Sequence, residues 1–289
     1  TNLGQLVIWN VGSLGTDESV SLRLRLSSAS TNSYRLLSSL NYSGGADDNP
    51  GDDHAESVLE ASGVPLCHIP EGLLGWWPGN SSPQDIVSTN NGTLVGEVGY
   101  QRAVVRSGFT FDGTSSAVRV GNPVAFHVQD LTLEAWIRRG SATHATAHGS
   151  GGFLFAGDTG GYGFGLLDDG RLMLSQVGLS YVPSTVDIQD TANWHHVAVT
   201  KSGTNVVFYI DGEVVTRTHL SEHFSFNHPF ALGALGETIR NVFLGGIDDL
   251  SLYGRALSEA EIHEIFLANS QGKCRAGLTD DQNPESTAD

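Results

Sequence analysis

Short runs of β-forming residues, separated by glycine-rich turns, recur along most of this chain. Asp169-Gly170 and Asp211-Gly212 each stand between two such runs, and this dipeptide is typical of type I′ hairpin turns. Gly supplies 36 of the 289 residues, whereas long helical patterns are scarce. A succession of about a dozen short strands and tight turns predicts an all-β fold of two packed sheets.

The clearest strand patterns lie in the C-terminal two thirds of the chain. They cover residues 93–98, 117–120, 131–138, 162–167, 171–176, 195–200, 206–210, 213–218 and 242–253. Trp136 and Trp194 are large apolar side chains within or beside these runs, and we expect both to fill the core between the sheets.

One helix is predicted near the end of this region. Ser258 at the N-cap and Glu261 three residues later form a capping box. Ile262, Ile265 and Phe266 then fall on one helical face.

The charge balance excludes two classes of partner. The chain has 32 acidic against 15 basic residues, a net charge of −17. Nucleic-acid binding needs a basic surface for the phosphates, so we expect no nucleic-acid partner. No apolar run reaches the roughly 20 residues of a membrane helix, so we expect no membrane insertion.

Composition and pattern divide the chain into three parts: residues 1–64, 65–276 and an acidic polar tail or linker at 277–289. The first part has strand patterns at 6–9, 20–26, 34–42 and 54–59. Four short strands are fewer than the roughly seven of an immunoglobulin-type sandwich, so this part is predicted to be incomplete.

The motifs of the first part carry a resemblance. W-N-V-G-S-L at 9–14, D-E-S-V at 17–20 and the loop at 47–53 resemble the second half of a bacterial Ig-like repeat found in large surface proteins. The resemblance implies a partial Ig-like β-sandwich repeat. An incomplete sandwich exposes a strand edge that another chain could complete, so self-assembly is a possible property.

Eight motifs follow one another through residues 65–276. They are G-W-W-P-G (75–79), D-I (85–86), N-G-T-L (91–94), F-T-F-D-G (109–113), L-T-L-E-A-W-I (131–137), N-W-H-H-V-A (193–198), F-Y-I-D-G (208–212) and G-I-D-D-L-S-L-Y-G-R-A-L-S (246–258). Their order resembles the laminin G-like domains of bacterial secreted surface proteins. The resemblance implies a concanavalin A-like jelly roll of two sheets.

The two cysteines bracket this second region. Cys67 precedes its first strand and Cys274 follows its helix, and the spacing alone allows either a disulfide or two free thiols. The flanking cysteines, with G-K-C at 272–274, also resemble the bacterial subgroup of the family. A disulfide between them would imply an oxidising, secreted or cell-surface location.

The resemblance also implies a structural calcium ion. Related jelly-roll families bind Ca²⁺ through an acidic residue in the last long strand, together with carbonyls of the opening segment. Asp248 matches that position, and we expect partners from Trp77 to Asn80, which includes Gly79, and from the turn at Asp112. The alternative is a solvated Asp pair at a sheet edge.

Two weaker metal candidates remain. The acidic loop of Asp47, Asp48, Asp52 and Asp53 lacks the spacing of an EF-hand. His219, His223 and His228 are a zinc candidate in a segment without a helical pattern. The H-x-x-E-H run at 219–223 needs a helix for catalysis, so a metalloprotease is not expected.

The sequence favours binding over catalysis. A glycosidase needs two carboxylates across one cleft, yet no E-x-D-x-x-E run is present and Glu134 stands alone in its strand. The expected function is a non-catalytic binding or adhesion module of a secreted or cell-surface bacterial multidomain protein. A glycan or another extracellular ligand would fit, because relatives with this fold often bind sugars.

Aromatic side chains are the candidate sugar contacts, since they stack on sugar faces. The candidates are Tyr162, Tyr181, Phe224 and Phe226, each of which could instead be packing. The alternative functions are a structural spacer or filament subunit and, less favoured, a polysaccharide-degrading enzyme.

Overall fold

The structure is a computed structural model that describes residues 69–273 and the backbone of two earlier strands. The chain divides into two compact units, Thr1–Gly63 and Val64–Asp289. In the first unit, strands β1 (Ser33–Ser39) and β2 (His54–Glu60) pair antiparallel, with Ser33 opposite Glu60.

Several sequence-based predictions fall outside the described residues. They are the remainder of the partial Ig-like repeat, the acidic loop at 47–53, the two cysteines Cys67 and Cys274, and the tail at 277–289.

The second unit contains fifteen strands and one α-helix among its described residues. The strands of its first half are β3 (Leu73–Trp77), β4 (Thr93–Val95), β5 (Gly99–Arg102), β6 (Ser107–Asp112), β7 (Ala117–Gly121), β8 (Leu131–Arg139) and β9 (Gly151–Ala156). The second half contains β10 (Tyr162–Leu167), β11 (Arg171–Gln176), β12 (Ser180–Asp187), β13 (His195–Ser202), β14 (Asn205–Ile210), β15 (Glu213–His219), β16 (Phe230–Leu232), β17 (Leu244–Tyr253) and the helix α1 (Glu259–Ala268).

These strands form two antiparallel sheets. The seven-stranded sheet has the order β12-β11-β10-β9-β16-β7-β4. The eight-stranded sheet has the order β15-β14-β13-β8-β17-β6-β5, and β3 also pairs with β17. The predicted all-β, two-sheet sandwich is confirmed.

An aromatic cluster fills the space between the two sheets. Trp77 of the eight-stranded sheet stacks on Phe155 of the seven-stranded sheet, with ring centroids 5.6 Å apart. Phe126, Tyr162 and Phe230 surround Phe155 at centroid distances of 6.1, 6.3 and 5.5 Å. Such ring pairs stabilise a core beyond the area they bury.

The prediction for Trp136 and Trp194 was wrong. On β8, Leu133, Ala135 and Ile137 face the core, so the alternation turns Trp136 to the opposite face of the sheet. Trp136 contacts Phe266 of the helix there, at 5.7 Å between centroids. Trp194 is half-buried under the guanidinium of Arg138.

Helix α1 covers part of this second face of the eight-stranded sheet. The capping box is present, because Ser258 accepts from the Glu261 amide and Glu261 accepts from the Ser258 amide. Ile262 and Ile265 pack against Tyr209 and Tyr253 of the sheet. Among the described residues, no helix is long and apolar enough to cross a membrane.

The two Asp-Gly turns differ in conformation. At Asp211-Gly212 both residues have positive φ, 50° and 75°, as a type I′ turn requires. Asp169 does not have a positive φ, and Gly170 has a φ of 88° while its N–H donates to Leu167 O at 2.9 Å. This second hairpin therefore has a three-residue loop with a left-handed glycine at its end.

Strand β12 was not predicted, because Pro183 interrupts its pattern. The structure places β12 at the edge of the seven-stranded sheet, where a residue without an N–H is tolerated. Its Thr185 amide donates to Thr216 Oγ1 of β15 at 2.7 Å, which joins the edges of the two sheets.

We expect Phe155→Ala to lower the free energy of unfolding by about 3–5 kcal/mol, because it leaves a cavity among four aromatic rings. Urea denaturation followed by tryptophan fluorescence would measure the change. Val124→Ala is the control: Val124 is 80% exposed, so its effect should stay within about 0.5 kcal/mol. A loss below about 1 kcal/mol for Phe155→Ala would contradict the described core.

Candidate functional site

A groove of about 510 Å³ lies on the outer face of the seven-stranded sheet. Strands β9, β10, β11 and β12 supply its floor and one wall, and the loop between β16 and β17 supplies the other wall. Small-molecule sites in proteins have volumes of roughly 300–1,000 Å³ and a mainly apolar lining with a few polar groups. The volume of the groove lies in this range, and its lining combines apolar with polar residues.

The floor of the groove is apolar. Phe153, Met173, Val177 and Leu235 form a small cluster there, separate from the main core. Gly163 on the intervening strand makes room for this floor, because a Cβ at Gly163 would lie 2.6 Å from the ring of Phe153. The absence of a side chain at Gly163 lets the Phe153 ring lie flat over the sheet.

The turn between β11 and β12, together with the start of β12, supplies an exposed apolar rim. Tyr181 is 55% exposed and Leu179 is 68% exposed, although both line the groove. Tyr181 lies opposite Ser175 in the β11–β12 ladder, so its backbone position is fixed by sheet pairing. An exposed aromatic ring on a rigid strand is suited to stacking on a flat apolar face of a ligand.

The opposite wall is the loop from Leu235 to Asn241, which Asp158 holds in place. Asp158 Oδ2 accepts from the Thr238 amide at 3.0 Å and from Thr238 Oγ1 at 2.9 Å, and its Oδ1 accepts from the Thr159 amide at 2.8 Å. Burial by itself raises the pKa of Asp158, but these hydrogen bonds lower it below the ordinary value.

Two residues of this loop adopt a backbone conformation that favours glycine. Ile239 has a φ of 49° and Asn241 a φ of 50°. A left-handed β-branched residue is strained, and such strain persists where the surrounding contacts fix the backbone, often at functional sites. Asn241 Nδ2 donates to Gly151 O at 2.9 Å, which anchors the loop to the floor.

Arg240 is the basic side chain of the groove lining. Its side chain is exposed and has no hydrogen bond or ion pair to any other described residue. The groove therefore combines an apolar floor, an exposed tyrosine and a guanidinium whose donors are available to a ligand.

A second polar cluster lies buried on the other side of the molecule, beneath the end of helix α1. Lys273 Nζ lies 2.9 Å from Asp249 Oδ2 and 3.1 Å from Glu134 Oε1. His196 Nε2 lies 3.2 Å from Glu134 Oε2, and the indole N–H of Trp76 donates to Asp249 Oδ1. All five side chains are buried.

The charged groups of this cluster stabilise one another's charged forms. Burial alone lowers the pKa of Lys273, but the charges of Asp249 and Glu134 raise it above the ordinary lysine value. Burial likewise raises the pKa of Glu134, but the Lys273 charge and the contact with His196 bring it below the ordinary value. These contacts therefore favour the charged form of a free Lys273 amine.

A β-bulge in β17 brings Asp249 into this cluster. Asp248 pairs with Trp136 and Ser251 with Glu134, so β17 has one extra residue opposite β8. Asp249 has a φ of 58°, a conformation that glycine usually supplies at such bulges.

Asp248 precedes the bulge and is fully buried. Its Oδ2 accepts from the Val105 amide at 2.9 Å, whereas Oδ1 has no hydrogen-bond partner among the described residues. Burial, together with the neighbouring charge of Asp249, raises the pKa of Asp248 well above its ordinary value. A solvated Asp pair at a sheet edge, the alternative from the sequence, is excluded by this burial.

The structure separates Asp112 from Asp248. Asp112 pairs with Leu244, four residues before Asp248 on the same strand. Its carboxylate accepts from the amides of Thr114 and Ser115, at 2.8 and 2.9 Å, within its own turn. Asp112 and Asp248 therefore cannot bind one ion.

Gly79 and Asp248 both lie next to Gly108, and Trp77 of β3 pairs with the part of β17 that follows Asp248. A Cβ at Gly79 would lie 3.1 Å from Gly108 Cα, and a Cβ at Gly108 would lie 2.9 Å from Asp248 Cβ. Trp77 pairs with Leu250 of β17. The opening segment therefore lies near Asp248.

The histidine candidates do not form a metal site. Within residues 69–273, no group of three or more His, Cys, Asp or Glu side chains could hold a metal ion. His219 ends β15, and His223 and His228 follow in irregular backbone.

Comparison with known proteins decides the family. Residues 112–263, more than half of the chain, match the family model Laminin_G_3, described as the concanavalin A-like lectin/glucanases superfamily. The chain belongs to this family. A search of curated protein sequences found no match to this laminin G-like chain.

Solved structures share the fold at low identity. Domain 4 of AbnA, a GH43 extracellular arabinanase from Geobacillus stearothermophilus in complex with arabinotriose, aligns with a TM-score of 0.55 and 20% identity over 68% of this chain and 98% of that chain. The binding domain of Paraclostridial Mosquitocidal Protein 1 aligns with a TM-score of 0.53 and 21% identity over 68% of this chain. The binding domain of Botulinum neurotoxin DC in complex with SialylT aligns with a TM-score of 0.52 and 14% identity, also over 68% of this chain. The laminin G-like chain spans about half of each of these two binding domains, 52% and 51% of their length.

The laminin G-like fold places the four predicted ligand aromatics in different environments. Tyr181 lines the groove. Tyr162 and Phe224 are buried in the core, where Tyr162 Oη donates to Phe126 O at 3.1 Å, so the prediction that they contact a ligand is corrected. Phe226 is half-buried and stacks on His127 at 4.7 Å, away from the groove.

Sequence reasoning missed most of the groove and of the buried cluster. Phe153 and Arg240 lie in segments without a motif. They line one groove with Tyr181 because β9 and β12 belong to the same sheet and the loop between β16 and β17 forms the opposite wall. Glu134 and Lys273 were noted within motifs but not paired. A charged residue at an alternate position of a strongly apolar strand, as at Glu134, is a usable signal for a buried partner.

We expect Asp158→Ala to accelerate hydrogen exchange of the Thr238 amide, because that amide loses its acceptor. In the parent protein, the pKa of Asp158 is lower in the folded state than in the unfolded state. The contribution of Asp158 to the stability of the fold is therefore complete above about pH 4, and it is lost as the pH falls through the lowered folded-state pKa. Asp169→Ala, which removes an exposed carboxylate paired with Arg171, is the control. Unchanged exchange at Thr238 in Asp158→Ala would contradict the anchoring role.

Proposed function

We propose that this chain is a non-catalytic carbohydrate-binding module, and that the groove on the seven-stranded sheet is its binding site. The observation that carries the proposal is the arrangement of Tyr181, 55% exposed, over an apolar floor with an available guanidinium at Arg240. Sugars present one apolar face and a periphery of hydroxyl groups. An aromatic ring with nearby hydrogen-bond donors matches both.

The groove does not carry the residues that glycoside hydrolysis needs. Among the described residues that line it, Asp158 supplies the carboxylate, and both of its oxygens already accept hydrogen bonds, Oδ1 from the Thr159 amide and Oδ2 from the Thr238 amide. A glycosidase uses two carboxylates about 5–10 Å apart across the bond that is cleaved. These groups support binding without hydrolysis.

The solved neighbours agree with a sugar ligand. One was crystallised with arabinotriose and another with SialylT. Because their identity to this chain is low, these structures support only the class of ligand. The proposed binding residues come from the groove of this chain. We propose that the module belongs to a secreted or cell-surface bacterial protein, in which a disulfide between Cys67 and Cys274 would be stable.

A glycan and polysaccharide screen, followed by isothermal titration calorimetry on the ligands found, tests this function. We expect Tyr181→Ala and Arg240→Ala each to weaken binding at least about tenfold, which corresponds to roughly 1.4 kcal/mol. Tyr181→Ala removes the stacking ring, and Arg240→Ala removes the guanidinium donors.

Two variants outside the groove are matched controls. Val124→Ala removes an exposed apolar side chain, and Arg102→Ala removes an exposed arginine on β5. Both should bind like the parent protein. If the chain binds a sugar and the groove variants bind equally well, the site lies elsewhere; if no sugar binds, the proposed function is wrong.

We also propose a structural calcium ion at Asp248. The fit rests on the buried Oδ1 of Asp248, which lacks a partner among the described residues, and on the neighbouring segment that contains Gly79. Calcium accepts carboxylate and carbonyl oxygens, and when bound it would compensate the buried carboxylate charge. Asp112 is not part of this site.

Calcium is expected to raise the Tm of the parent protein relative to a chelator-treated sample. Asp248→Asn should abolish that rise, because the amide keeps the shape and the acceptor for the Val105 amide but lacks the charge. Differential scanning calorimetry with and without chelator measures both. If calcium does not change the Tm of the parent protein, the proposed calcium ion is wrong. That result would not affect the proposed sugar site.

A further inference from the structure

The buried cluster beneath helix α1 holds an amine and two carboxyl groups within bonding reach of one another. Lys273 Nζ lies 2.9 Å from Asp249 Oδ2 and 3.1 Å from Glu134 Oε1. Lys273 is 2% exposed, Asp249 2% and Glu134 0%. The three residues come from three segments: the chain after α1, the bulge of β17 and strand β8.

Ion pairing alone is a weak reason for such a cluster. Removing three charged groups from water costs several kcal/mol per ion, and apolar residues of similar volume are often as stabilising as a buried ion pair. The geometry around the Asp249 carboxyl group suggests another use.

Trp76 polarises the Asp249 carboxyl group. Its indole N–H donates to Asp249 Oδ1, and its ring lies 5.1 Å from the Lys273 ammonium. A donor on one carboxyl oxygen draws electrons from the carbon and would stabilise negative charge on that oxygen if the carbon became tetrahedral. The other oxygen, Oδ2, faces Lys273.

Glu134 is placed to take a proton from the amine, because Glu134 Oε1 and Asp249 Oδ2 both face Lys273 Nζ. Its Oε1 faces Lys273 Nζ, while its Oε2 is held by His196 Nε2 at 3.2 Å. A carboxylate fixed at one oxygen and directed to the amine with the other can serve as a general base and then as a general acid.

We propose that Lys273 and Asp249 form an intramolecular amide bond, between Nζ and Cγ, with Glu134 as the proton carrier. This inference is independent of the groove and of its ligand.

The step balances without an oxidant or cofactor. The Lys273 ammonium gives one proton to Glu134, and the freed lone pair attacks Asp249 Cγ, which places an electron pair on Oδ1 opposite Trp76. Nζ then gives up a second proton. The two protons reach Oδ2 by way of Glu134, the Cγ–Oδ2 bond breaks, one water leaves and the Oδ1 electron pair restores the carbonyl. An ammonium and a carboxylate become an amide and water, and Glu134 returns to its carboxylate form.

Burial makes this condensation feasible. In bulk water the ionised amine and acid do not condense, because water solvates both and competes as a nucleophile. Fixed contact in a water-excluded site supplies effective molarities of about 10⁵–10⁸ M. The positive φ of 58° at Asp249 is the kind of backbone strain that persists at reactive sites.

Intact mass spectrometry of the full chain, denatured and reduced so that a disulfide makes no contribution, tests the proposal. We expect a mass about 18 Da below that of the sequence, the mass of one water. Protease digestion should then yield a branched peptide in which Lys273 is joined to Asp249.

Matched variants identify the roles. Lys273→Met and Asp249→Ala remove a reacting group, and Glu134→Gln keeps the shape but removes the proton carrier; all three should show the full sequence mass. Lys201→Met is the control, because Lys201 is also buried but donates to the Gln129 and Gly203 carbonyls rather than to a carboxylate. This control should keep the mass loss, and circular dichroism checks that each variant folds.

Three outcomes would overturn the proposal. The first is a parent protein at full sequence mass, which would leave the cluster an ion pair. The second is a mass loss that peptide mapping assigns to a succinimide at an Asp-Gly site such as Asp169-Gly170. The third is an unchanged mass loss in folded Lys273→Met.

Discussion

Strand β17 is the constraint on which the rest of the second unit depends. It pairs with β8 along one edge and with β6 and then β3 along the other, so the start and the middle of the domain are joined through it. Its alternation sends Ile247, Leu250 and Leu252 into the core between the sheets. The bulge at Asp249 interrupts that alternation and places two consecutive aspartates outside the core.

The two sheets use their outer faces in opposite ways. The eight-stranded sheet covers much of its outer face with helix α1 and Lys273, so that face is buried and its polar groups must pair with one another. The seven-stranded sheet leaves a groove over Phe153 and Met173 open to solvent. This asymmetry leaves one outer face largely buried and part of the other outer face open to solvent.

Local signals in the sequence correctly predicted elements that depend on only a few adjacent residues. The Ser258 capping box and the turn at Asp211-Gly212 need only a few adjacent residues, and both predictions are confirmed. The direction of Trp136 follows from alternation, because Trp136 shares its set of positions on β8 with Thr132 and Glu134, opposite the apolar set that meets the other sheet. What the pattern does not indicate is that this second face of β8 is also buried, since helix α1, far along the chain, contacts Trp136 there.

The sequence by itself determined the class of this protein: short strands, tight turns and ordered motifs specify a two-sheet jelly roll of the laminin G-like kind. The tertiary structure alone decided which residues meet. Tyr181 and Arg240 come from different segments and line the same groove. Lys273 reaches Glu134 because the chain after α1 folds back over β8. The physical reason is that turn and alternation preferences act between near neighbours in the chain, whereas a groove or a buried charge cluster is assembled by packing between segments far apart in sequence.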